Sequence, residues 1–182
     1  MSTDKERLRR EMKRLRAEAG ERALRDGRIC EALFALPRFA AARSVFLYNA
    51  FGSEAGTAGV AARLRAEGRR VLYPRVCGRD MFLVPDEGQG FAPGAFGIPE
   101  PLGAVTDELP QVCVLPLLAA DKSFRRLGYG GGFYDRWLAR SGGGVFKVGI
   151  GYDFQLLDEI PAEAHDVLLD AVVTDARVLL RG

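Results

Sequence analysis

Six short apolar runs set the pattern of the chain from residue 45 onward: VFLY at 45–48, VLYP at 71–74, MFLVP at 81–85, VCVLPL at 112–117, VFKVGIG at 145–151 and AVVT at 171–174. Several lack a polar residue at alternate positions, the mark of strands covered on both faces rather than of a sheet with one wet side. Between them a helical period returns at about 57–67, behind Thr57, at about 131–140, and more weakly near 153–158. Strands alternating with helices predict an α/β fold, a central mostly parallel sheet with helices on both faces. MFLVP is expected in a hairpin or at an edge.

An N-terminal helical pair precedes the first strand. Thr3 and Glu6 have capping-box spacing, and Leu8, Met12, Leu15 and Ala19 then share one stripe of a helix ending near Gly20. A second helix is expected from Glu21 to Leu36, with Leu24, Ile29, Leu33 and Leu36 apolar and Pro37 as its stop. At 182 residues the chain suits one domain, 1–182, with a sizeable core.

Charge excludes little globally, because 26 Lys and Arg face 24 Asp and Glu. Locally, residues 1–28 hold ten basic and six acidic side chains, so the remaining residues are net negative. Three cysteines, Cys30, Cys77 and Cys113, fit neither a disulfide framework nor a zinc ligand set, and are read as small buried hydrophobes in a reducing compartment. No stretch has the length and apolarity of a signal peptide or a membrane span, and the acidic residues of the first helix argue against a transit peptide. A soluble cytoplasmic protein is expected. The segment from Asp86 to Gly103 is rich in Gly and Pro, and so long an irregular loop is usually functional or mobile.

The segment VLPLLAADKSFRRLGYGGGFYDRWLAR, 114–140, carries the most chemistry. A buried strand ends near Leu117, a polar loop follows, and Gly128, Gly130, Gly131 and Gly132 lead into a helix containing Tyr134, Asp135 and Arg136. Glycines admit an anion close to the backbone, and the unpaired first N–H groups and the dipole of a helix favour negative charge there. Arg125 and Arg126 at its mouth add guanidinium donors, and Asp135 is placed to hold the magnesium of a nucleoside triphosphate. It is not a Walker loop, since no Gly-Lys-Ser/Thr closes it. It fails as a dinucleotide fingerprint because Phe133 replaces the third glycine and the residues before the glycines do not read as strand. The residues alone leave open a glycine-rich turn that merely reverses the chain.

As a string, Asp121 followed by RLGYGGGFYDR from Arg126 to Arg136 resembles the signature of the 5-formyltetrahydrofolate cyclo-ligase (5,10-methenyltetrahydrofolate synthetase) family. The similarity runs over nearly the whole chain, through KERLR at 5–9, SEAGT at 53–57, YPRV at 73–76, GIPEP at 97–101 and GYDFQLLDEIPAEAHDVLLDAVVTD at 151–175. It departs at Phe124, where the family usually has Gly, at Ala120, where it has Phe, and at Gly56, where an acidic residue is common.

The resemblance implies an enzyme that uses ATP and Mg2+ to cyclise 5-formyltetrahydrofolate. It implies that Lys5, Arg9, Arg126, Leu127, Gly128, Tyr129, Gly130, Gly131, Gly132, Phe133 and Tyr134 bind ATP, and that Asp135 and Asp166 hold the metal. It implies Leu47 or Tyr48, Glu54, and Tyr129, Gly130, Gly131, Gly132 and Phe133 on the folate, with Arg126 and Asp135 catalytic. Phe96 and Ile98 read either as an apolar wall for the ring system or as loop residues tucked on the core. Without the resemblance, Lys5 and Arg9 read as one face of a solvated helix, Asp135 as a first-turn carboxylate and Asp166 as a turn residue. His165 reads as a neighbour of the metal aspartate and Trp137 as core. Expected partners are the folate and ATP, with no nucleic acid or membrane, acting as a monomer. The alternative is a non-catalytic module binding RNA or protein through the basic first helix.

Overall fold

The computed structural model describes residues 4–141, 143–161 and 166–182. The expected cap at Thr3 and the residue His165 lie outside the described residues. Helix α1 (Asp4–Glu18) is followed by α2 (Arg22–Ala35) and a four-residue α3 (Pro37–Ala40). Pro37 does close α2: Leu36 before it turns extended, at φ −72° and ψ 123°, as residues preceding proline must. The same proline then opens α3, its fixed φ and missing N–H costing nothing at a first helical position.

All six apolar runs form strands. The large sheet contains β1 (Ser44–Phe46), β2 (Arg70–Cys77), β3 (Asp80–Pro85), β6 (Val112–Pro116), β9 (Phe146–Ile150), β11 (Ala171–Val173) and β12 (Val178–Leu180), in the order β12-β11-β9-β6-β1-β2-β3. Its five inner strands are parallel. The edge strands β3 and β12 run antiparallel to β2 and β11, so MFLVP takes the hairpin and edge place expected of it.

Successive strand residues enter opposite cores. Val45, Leu47, Val71, Val112 and Val114 pack with Ile29, Leu33, Phe39, Val60 and Leu64, from α2, α3 and α4 (Ala58–Ala66). Phe46, Leu72, Cys113 and Leu115 pack on the other face with Trp137 and Leu138 of α5 (Phe133–Ser141). Leu24, read as an apolar position of the second helix, is half exposed, and only Cys113 of the three cysteines is buried, with Cys77 on the surface.

Five short strands outside the large sheet were not read as strands. β7 (Ala119–Asp121) and β8 (Arg126–Leu127) form a hairpin that pairs with β10 (Leu156–Leu157). The residues before the glycines are therefore strand after all. Met12 of α1 packs on this small sheet with Leu118, Leu127 and Ile160, using the stripe that also holds Leu8 and Leu15. A 3-10 helix over Asp153–Gln155 stands where a weak helix was expected. The Gly- and Pro-rich segment contains a second hairpin, β4 (Phe91–Pro93) with β5 (Pro99–Pro101). That hairpin is tied down where Asn49 donates to the Pro99 carbonyl at 2.7 Å and the Val76 N–H donates to Glu100 at 3.0 Å.

Strand order positions the site. The chain moves from β1 outward to β2, then returns to the other side of β1 with β6 and continues outward to β9 and β11. Loops leaving the carboxyl ends of β1 and β6 therefore diverge, and a crevice opens between them, the usual ligand position in an open parallel sheet. Among the described residues no helix is long and apolar enough to cross a membrane.

Candidate functional site

A cavity of about 570 Å³ occupies that crevice. Its walls include Tyr48 and Asn49 beyond β1, Pro116 at the end of β6, Lys5, Arg9 and Lys13 of α1, and the whole run from Arg126 to Asp135.

The glycine loop is held from below by Asp121. Its fully buried carboxylate accepts the N–H groups of Ser123 at 2.9 Å, Arg125 at 3.1 Å and Ile160 at 3.1 Å. Phe124, in this turn, has φ 64°, a left-handed conformation that explains a preference for glycine there. Its ring packs on the α5-side core, and its carbonyl accepts the Leu169 N–H at 2.8 Å. From β8 the chain passes into Gly130 and Gly132, at φ 97° and 67°, which only glycine adopts without strain. Arg126 is clamped by two acceptors, the Pro116 carbonyl at 3.1 Å and Asp135 Oδ1 at 2.9 Å.

Helix α1 lies across the loop. Arg9 Nε donates to the Gly128 carbonyl at 2.9 Å, and a side chain at Gly130 would press on the Arg9 guanidinium. Lys5 Nζ is 3.1 Å from Asp166 Oδ2, joining groups 161 positions apart. Lys13 continues the same face, its ammonium 5.2 Å from the centre of the Tyr129 ring. The spacing of Lys5, Arg9 and Lys13, four residues each, could have flagged Lys13 in the sequence.

Across the cavity, Glu54 is only 6% exposed and accepts the Phe51 N–H at 2.8 Å. Burial raises its pKa, while the Phe51 N–H, the Tyr129 hydroxyl and the charge of Arg16 pull it back down. Burial likewise lifts Tyr129 to about 12. Tyr129 and Tyr48 both stay protonated at neutral pH, since burial raises Tyr48 as well, and the Tyr48 hydroxyl donates to the Ala55 carbonyl at 2.6 Å. Of the two folate candidates at the end of β1, Tyr48 lines the cavity, while Leu47 is buried in the core beside α2 and α4. Both lie beyond the end of β1 and both pack in the core under α2 and α4, but only Tyr48 also reaches the cavity. Phe96 and Ile98 both line the cavity; Phe96 is 71% exposed and meets Phe133 edge to face at 5.9 Å between ring centres. Trp137 is core, as read, against Phe46.

Asp135 and Asp166 both reach the cavity wall. Two hard oxygen donors with room for water and phosphate oxygens suit magnesium, which commonly takes only one or two carboxylates. Among the described residues no group of three or more potential metal ligands forms. At Gly56, a Cβ would fall 2.5 Å from Asp26 Oδ2, so the carboxylate of Asp26 fills the space beside the residue where an acidic one was expected. Two residues that support the site from outside the cavity lining escaped the sequence reading besides Lys13. Arg16 is a buried cation donating to Tyr129, and Gln155 donates to the Leu117 and Leu118 carbonyls at 2.9 and 3.0 Å.

Comparison with known proteins agrees with the motif. The 5-formyltetrahydrofolate cyclo-ligase family matches residues 1–175. A 5-formyltetrahydrofolate cyclo-ligase of Mycolicibacterium smegmatis is 39% identical over 146 residues, covering 74% of this chain and 75% of the relative. One from Escherichia coli is 34% identical over 151 residues, covering 78% and 83%. The solved structure of the Aquifex aeolicus 5,10-methenyltetrahydrofolate synthetase superposes with a TM-score of 0.86 at 30% identity, over 98% of this chain and 93% of that one. The chain belongs to the 5-formyltetrahydrofolate cyclo-ligase family.

Proposed function

We propose that this family member cyclises 5-formyltetrahydrofolate to 5,10-methenyltetrahydrofolate in a reaction that consumes ATP, requires magnesium, and releases ADP and phosphate. The observation that carries the reading is the gathering, around one cavity at the sheet's switch point, of the glycine loop, the α1 cations, two aspartates and Glu54. In this reading the formyl oxygen attacks the γ-phosphoryl group, N10 then closes on the activated carbon, and phosphate leaves. Such chemistry asks for in-line placement and charge neutralisation rather than a side-chain nucleophile.

The glycine-loop amides, Arg126, Lys5 and Arg9 bind the polyphosphate, and Asp135 and Asp166 hold magnesium, which supplies positive charge against the phosphoryl oxygens. Glu54 accepts N–H groups of the pterin, Tyr48 supports that end, and Phe96 and Ile98 wall the ring system. Leu47 acts only through the core behind Tyr48. The same reading takes residues 1–182 as one domain, working as a cytoplasmic monomer.

The test is direct. Purified protein given 5-formyltetrahydrofolate, ATP and magnesium is expected to develop the ultraviolet absorbance of the methenyl product, and omission of either ATP or metal abolishes it. Well-folded protein without product would sink the reading, and salt-sensitive RNA binding by that protein would favour a binding role for α1.

A further inference from the structure

Arg16 is buried to 3% exposure on α1, yet no carboxylate forms an ion pair with it among the described residues. Taking a guanidinium out of water is costly unless its donors are matched. Here each donor goes to a different segment of the cavity wall. Nε donates to Ser53 Oγ at 3.1 Å, Nη1 to the Leu117 carbonyl at 3.3 Å, and Nη2 to the Tyr129 hydroxyl. These are the turn after β1, the end of β6 and the glycine loop, all gripped from α1. Ser53 precedes Glu54, and Tyr129 lines the same cavity as Glu54 and favours its ionised form.

We propose that Arg16 is a positioning residue for the folate side of the site, holding the Tyr129 hydroxyl and the Ser53 turn so that the Glu54 carboxylate stays fixed on the cavity wall opposite the glycine loop. The inference rests on the reading that Glu54 receives the pterin. It deepens that reading by making the first helix serve both substrates: its Lys5 and Arg9 face the phosphates, while Arg16 acts through two residues on the folate.

The groups that face Glu54 define what loss of Arg16 should do. Arg16 from α1, Tyr129 from the glycine loop and the Phe51 N–H favour its ionised form. Tyr48, beyond β1, and Tyr134 of α5 are neutral hydroxyl groups that sense its charge, and Asp26 of α2 acts on Tyr48. Burial opposes ionisation and prevails. Removing Arg16 therefore moves the Glu54 titration upward, and an acceptor that must be charged is lost at a higher pH.

Three variants and two readouts test this. Arg16→Gln is expected to raise KM for 5-formyltetrahydrofolate about tenfold or more, the size of a lost charged hydrogen bond, with KM for ATP little changed. The acid limb of kcat/KM for the folate moves to higher pH, because that limb reports the free enzyme. Tyr129→Phe moves it in the same direction. Arg16→Lys restores the charge but not the three-way fork, so it recovers the acid limb more than it recovers KM.

The second readout needs no substrate: the carboxyl 13C resonance of Glu54, titrated in ligand-free wild type and variants. Should wild type turn over no folate, the functional reading fails while this titration still decides the positioning role. If Arg16→Gln does not fold, Tyr129→Phe, changed at a partly exposed side chain, carries the test. Folded variants with the wild-type acid limb and an unmoved Glu54 titration, altered only in melting temperature, would overturn the proposal.

Discussion

On the cavity wall made by α1, the glycine loop and α5, each carboxylate is answered by a cation. Lys5 meets Asp166 and Arg126 meets Asp135, and the two aspartates keep 20% and 38% of their side chains in contact with solvent. On the facing wall Glu54 has no such partner among the described residues; it is buried, its carboxylate accepts the Phe51 N–H, and the Tyr129 hydroxyl favours its charged form. The difference lies in exchangeability. Ion pairs at a half-wet surface contribute little stability and can be traded, cations to a polyphosphate and carboxylates to a metal ion, with the total charge conserved. A buried carboxylate held by neutral donors has nothing to trade and suits recognition of a fixed pattern of N–H groups.

The largest effect is expected at the exchangeable wall. Arg126→Ala should lose about 2–4 kcal/mol of transition-state stabilisation, seen as a fall in kcat. Arg126→Lys should not restore it, because a single ammonium cannot span both the Pro116 carbonyl and Asp135. Near-normal turnover in the alanine variant would break the contrast between the walls by showing that the ionic one is structural.

Glu54→Gln should act on the other substrate, weakening folate by about 1.5–3 kcal/mol in KM while ATP is unaffected. Its stability has a sign as well. Because burial raises the Glu54 pKa, its contribution is full below the ordinary carboxylate range and is lost as pH rises through the raised value. Thermal melts at a series of pH values should therefore show the glutamine variant gaining on wild type as pH rises across that window. A constant difference at every pH would mean that the wall carries no such cost. Asp135→Asn comes next: the magnesium concentration for half-maximal activity should rise by about tenfold, with the folate KM unmoved.

How far the sequence foretold these walls depended on what each residue type could do locally. The strands were legible because uninterrupted apolar runs have few other uses, and the glycine loop because Gly130 and Gly132 take positive φ that other residues pay for. Lys5, Arg9 and Glu54 were reached through the family motif rather than through local physics. Arg16 was not legible at all: in sequence it is one more cation on a charged helix, and only tertiary packing buries it against Ser53 and Tyr129. The two-residue strand β8 was missed because its pairing depends on the Asp121 turn, and Leu47 was left open beside Tyr48 because the phase of a short strand is not fixed by its apolar content.

The smallest effect concerns Phe124, behind the ionic wall. Glycine there would relieve a left-handed conformation worth about 1–2 kcal/mol. It would also remove a partly buried ring, at the low end of the roughly 1.5–3 kcal/mol that full burial gives. The two terms nearly cancel, so Phe124→Gly should stay within about 1 kcal/mol of wild type in denaturant melts. Phe124→Ala keeps the strained backbone and loses the ring, so it should be the less stable of the two. Both should retain kcat, because Asp121 and its three N–H donors hold the turn independently of the side chain at 124. A large loss of kcat in Phe124→Gly with an unchanged melt would instead show that the ring sets the height of the glycine loop, and the exchangeable wall would then depend on the core beneath it.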